Sequence, residues 1–131
     1  MTLESLFDLQ DKLESHINTY WNFWSIVVLG ICGWFFGREH PISNYSWAVS
    51  FGLVVFFMGN LSVLLPATKL AVAVCDEIRI QSGKTPFASE KLGLALSRPG
   101  MKHRLLATVL LHVTVDVVLI VLLWCQACHR P

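Results

Sequence analysis

Three long apolar runs, at 20–36, 47–68 and 105–124, constrain this chain more than any other feature. Each approaches the roughly 20 residues that a helix needs to cross about 30 Å of hydrocarbon. Apolar side chains make up 54% of the sequence and charged ones only 15%, a balance too oily for a soluble domain. The expected fold class is therefore an all-α membrane protein with three transmembrane helices, forming one polytopic domain over 1–131. The formal charge of +1 provides no broad basic surface, so nucleic acid is not an expected partner.

Where the charges lie sets the expected orientation. Lys69, Arg79, Lys84, Lys91, Arg98, Lys102 and Arg104 all fall in or beside the connection at 69–104. The first turn offers only Arg38 and the tail only Arg130. The positive-inside rule puts the long connection and the N-terminus in the cytoplasm and the C-terminus outside, as in a bacterial-type inner membrane. Aromatic residues agree. Tyr20, Trp21 and Trp24 read as an inner interfacial belt, and Trp34, Tyr45, Trp47 and Trp124 as an outer one.

Residues 1–19 read as an N-terminal amphipathic helix opened by Thr2, with Leu3, Leu6, Phe7, Leu13 and Ile17 on its apolar stripe. Glu4, Asp8, Asp11 and Glu14 give it an acidic face, unlike the basic start of a cleaved signal. Anionic lipid would repel that face, so the helix is expected to pack against a neighbouring subunit or the cytoplasmic connection, the alternative being a solvated extension of the first span. The Pro41-containing turn is short enough to make the first two spans an antiparallel hairpin. Gly52 and Gly59 are expected to let a neighbouring helix approach, Pro66 to kink the second span, and 70–80 to prolong it as helix. Thr85 and Pro86 mark the start of a further short helix, to about Leu96.

The third run carries the main chemical clue. Thr108, His112 and Asp116 recur every fourth residue and so share a helix face, whereas Thr114 points elsewhere. A charged Asp near the bilayer centre costs about 2.5–3.5 kcal/mol on insertion scales, so it requires a partner. One reading is interhelical bonding, with His112 or Asp116 held by Asn60 or a threonine. Another is a proton or ion path, or a polar ring around a pore in an oligomer.

At the C-terminus Cys125, Cys128 and His129 match the C-x-x-C-H attachment motif of c-type haem. Almost no chain follows to envelop a porphyrin, so free thiols, a strained disulfide or a zinc site shared with His40 compete with haem. Cys32 and Cys75 lack partner spacing and read as ordinary buried residues. Ser82 to Thr85 imitates the end of a phosphate-binding loop, but Ile78 stands where its first glycine belongs. No catalytic triad, histidine box or resident metal is expected.

Intramembrane Asp, His and Asn are costly when they face lipid, so a homo-oligomer or a larger membrane complex is the expected setting. The leading expectation is an accessory or assembly subunit without enzymatic activity or cofactor. The alternatives are a homo-oligomeric channel or membrane-permeabilising effector lined by Thr108, His112 and Asp116, and a membrane-anchored haem c redox subunit.

Overall fold

The computed structural model describes residues 2–37, 45–84 and 103–128. It contains three helices: α1 over Leu3–Phe36, α2 over Ser46–Ser82 and α3 over Arg104–Cys128. No strand occurs among the described residues. All three helices are long and apolar enough to cross a membrane. The helix expected from Pro86 to Leu96 and the turn around Pro41 lie outside the described residues, as does His129.

Helix α1 begins where its sequence says it should. The Thr2 hydroxyl accepts the Ser5 backbone N–H at 3.2 Å, and the Ser5 hydroxyl donates to the Thr2 carbonyl at 2.7 Å. From that cap the helix runs without a break through 20–36. Residues 3–19 extend the first apolar segment, and Leu6, Leu13 and Ile17 of their stripe pack on α2 of the same chain. At a rise of 1.5 Å per residue, α1 and α2 are each a little over 50 Å long, well beyond a hydrocarbon thickness of about 30 Å.

Two apolar clusters fix the packing. Leu6, Leu13 and Ile17 of α1 meet Leu64, Ala71, Val74 and Ile78 of α2. Trp24 and Phe35 of α1 meet Leu53 and Phe57 of α2 and Leu119 and Leu123 of α3. The start of α1 therefore packs on the end of α2, and the two helices are antiparallel along their length. Helix α3 runs antiparallel to α2 beside its first half. The expected extension of the second span through 70–80 is present, as one arm of a two-helix stalk.

Helix α2 contains Pro66 and remains continuous. Two residues on, the Thr68 hydroxyl donates to the Leu64 carbonyl at 2.8 Å, which lets a fully buried threonine satisfy its polar group within the helix. Within this chain no helix approaches Gly52 or Gly59 closely. A Cβ built at either would meet nothing within 4 Å, because both face outward.

The distribution of polarity is inverted relative to a protein in water. Phe23, Ile26 and Leu29 of α1, Phe51, Val55 and Met58 of α2, and Leu110, Val117 and Val121 of α3 are exposed. His112, Asp116, Thr108 and Thr68 are buried. Exposed surface of this apolar kind is stable against hydrocarbon and adhesive in water.

Candidate functional site

Four side chains from all three helices form one hydrogen-bonded chain midway along the apolar segments. On α3, His112 and Asp116 are one turn apart, and His112 Nδ1 lies 2.5 Å from Asp116 Oδ2. From α1, Trp24 Nε1 donates to Asp116 Oδ1 at 3.0 Å. From α2, Asn60 Nδ2 lies 3.1 Å from His112 Nε2. The imidazole is completely buried and the Asp116 side chain is 11% exposed. Thr108, the third residue of the sequence stripe, is buried on the same face.

His112 Nδ1 faces Asp116 and Nε2 faces Asn60, so both ring nitrogens and both carboxylate oxygens have a partner. Aromatic rings close around the imidazole, with the Trp24 ring centroid at 5.1 Å, Trp21 at 6.0 Å and Phe57 at 6.1 Å. Beyond the network Leu119, Leu123, Phe35 and Leu53 form an apolar cluster, and Ser50 and Ser46 are buried further along the same face of α2.

The sequence stripe and Asn60 are therefore brought together within one chain. Trp24 joins them, which corrects its placement in an interfacial belt: only 7% of it is exposed, and its indole N–H is spent on Asp116. The signal was present in the sequence. Leu6, Leu13, Ile17 and Trp24 continue one buried stripe along α1. Trp24, Asn60, His112 and Asp116 thus find partners for one another within a single chain.

A second polar link joins α1 and α3 at the other end of α3. Arg104 grips Glu14 through its two terminal guanidinium nitrogens, Nη2 lying 2.6 Å from Oε2, and Gln10 donates to the same carboxylate at 2.8 Å. The Arg104 hydrogen bonds hold the Glu14 carboxyl below the usual carboxylate range, with partial burial opposing them. Nothing in the local pattern marks this pairing, because the two residues are far apart in the chain and each reads as an ordinary solvated charge.

At the end of α3 the helix continues through Cys128, with Cys125 exposed beyond half-exposed Trp124. Cys32 and Cys75 are half-buried free thiols on α1 and α2. Among the described residues no three His, Cys, Asp or Glu side chains converge as a metal site would require. No family model, curated protein or solved structure matches this chain.

Proposed function

We propose that this protein is a non-catalytic subunit of a larger membrane complex, acting through the protein it binds. The observation that carries this reading is the closure of the Asn60–His112–Asp116–Trp24 network inside a single chain. Polar groups committed to one another hold a helix bundle in register. Towards one end the apolar cluster of Phe35, Leu53, Leu119 and Leu123 packs against them. A pore between copies would have to be lined by the apolar perimeter or would have to break the network open. The two-helix stalk beyond the third helix gives the unit a second surface, outside the bilayer, for the same partner.

Purification from the native membrane in mild detergent tests this reading. The expected result is a hetero-complex whose mass exceeds that of this chain, with no conductance when this chain alone is reconstituted. A homo-oligomer that conducts, with ion preference altered by Asp116→Asn, would overturn it in favour of a channel.

A further inference from the structure

The buried network can be fully bonded with more than one number of protons. Trp24 Nε1 can only donate, so Asp116 Oδ1 accepts from it whatever the state of the rest. The contact of 2.5 Å between His112 Nδ1 and Asp116 Oδ2 needs one proton, which either partner can carry. The contact of 3.1 Å between Asn60 and His112 Nε2 is different in kind. An amide turned one way presents N–H to a bare Nε2, and turned the other way presents its carbonyl to Nε2–H. Every hydrogen bond therefore survives in two states that differ by one proton and by half a turn of the Asn60 amide. With one proton the pair carries a net negative charge, and with two it is neutral.

Opposing forces act on that second proton. Complete enclosure of the imidazole disfavours a charged ring. The carboxylate in contact favours it, as do the rings of Trp24, Trp21 and Phe57, whose centroids stand 5.1, 6.0 and 6.1 Å away. No other charge intervenes. Around the pair lie Trp21 and Trp24 from α1, Asn60 and Phe57 from α2 and Thr108 one turn along α3, none of which titrates. Within 20–36, 47–68 and 105–124, His112 and Asp116 are the only His, Asp, Glu, Lys or Arg residues. Nor is the network sealed. Asn60 is half-buried and 11% of the Asp116 side chain is exposed, so both ends reach the surface of the bundle.

We infer that His112 and Asp116 form a binding site for a single exchangeable proton, with Asn60 as the adaptor whose amide turns when that proton comes or goes. On proton uptake Nε2 changes from acceptor to donor, and the pair passes from one net negative charge to none. The proton is held on α3, but the group that must answer it stands on α2, so the state of the pair is carried across the contact between the two helices. This role goes beyond the subunit reading and does not depend on it.

Nitrogen-15 NMR of the full chain in lipid vesicles, labelled at histidine and asparagine, tests it. His112→Gln and Asn60→Leu serve to identify the two sets of signals. As pH is raised from about 4 to about 10, His112 Nε2 is expected to pass in one step from an N–H signal to that of a bare acceptor. The Asn60 side-chain nitrogen should move with the same midpoint, while Nδ1 stays hydrogen-bonded throughout. Asp116→Asn keeps the shape of the carboxylate and removes its charge, so the step should vanish and the ring should hold one state across the range. A His112 ring that never changes state in the unmodified chain would overturn the inference. So would a ring that titrates while the Asn60 amide stays still, or a step that keeps its midpoint in Asp116→Asn.

Discussion

At the scale of single residues, the network is asymmetric in what its parts can lose. Asp116 depends on partners from two helices, and removing one leaves a carboxylate oxygen bare in an apolar interior. Trp24→Phe keeps most of the ring and deletes only the N–H, so it is expected to destabilise the bundle by about 1–3 kcal/mol. Reversible unfolding in mixed micelles reads this directly. A change smaller than about 0.5 kcal/mol would mean that the indole N–H contributes no net stability. The Glu14–Arg104 pair makes a prediction in pH. The folded-state pKa of Glu14 lies below its unfolded value, so the pair's contribution is fully present above the unfolded value and is lost as pH falls through the folded one. Stability should therefore decline below about pH 4.3, and Glu14→Gln should flatten that part of the profile. Both groups are partly solvated, so the effect is small compared with that of the buried network.

At the scale of helices, α1 and α2 are joined by a stripe that outlasts the membrane-length segment. Ala71 is fully buried and has the smallest side chain in the cluster that it shares with Leu6, Leu13 and Ile17. Ala71→Leu is expected to cost about 1–3 kcal/mol by overpacking and to speed amide exchange in the first turns of α1 while sparing α3. Uniform acceleration across all three helices would show that the stalk and the bundle unfold as one unit. The helices themselves were legible in the sequence, because long apolar runs, the Thr2 cap and the i, i+4 stripe are local patterns. Their mutual register was not. Tryptophan near the end of an apolar run reads as interfacial by default, and Trp24 could be moved to the core only by learning which residue of α3 lies opposite it. Gly52 and Gly59 show the same limit: a small-residue spacing says that close approach is permitted, and within this chain the neighbouring helices pack on the other face. Asn60 was named as a partner for His112 because polar groups in lipid must find one another, a constraint that acts without register.

At the scale of the whole molecule, the proposed orientation places the stalk in the cytoplasm and the end of α3 outside. Cys75 and Cys125 report on opposite ends of the bundle, since one lies on the stalk arm of α2 and the other near the far end of α3. Variants that keep a single cysteine separate them. With only Cys125 present, a membrane-impermeant maleimide added to intact cells is expected to label the chain at once, because the thiol is exposed. With only Cys75 present, labelling should wait for permeabilisation. It should also be slow afterwards, since burial, followed by the nearby Glu14 charge, pushes that thiol up and Arg104 only partly offsets them. Rapid labelling of Cys75 in intact cells, with Cys125 protected, would invert the topology. The basic connection would then lie outside, against the rule that set the orientation, and the charge distribution would have to be explained by the partner rather than by the membrane.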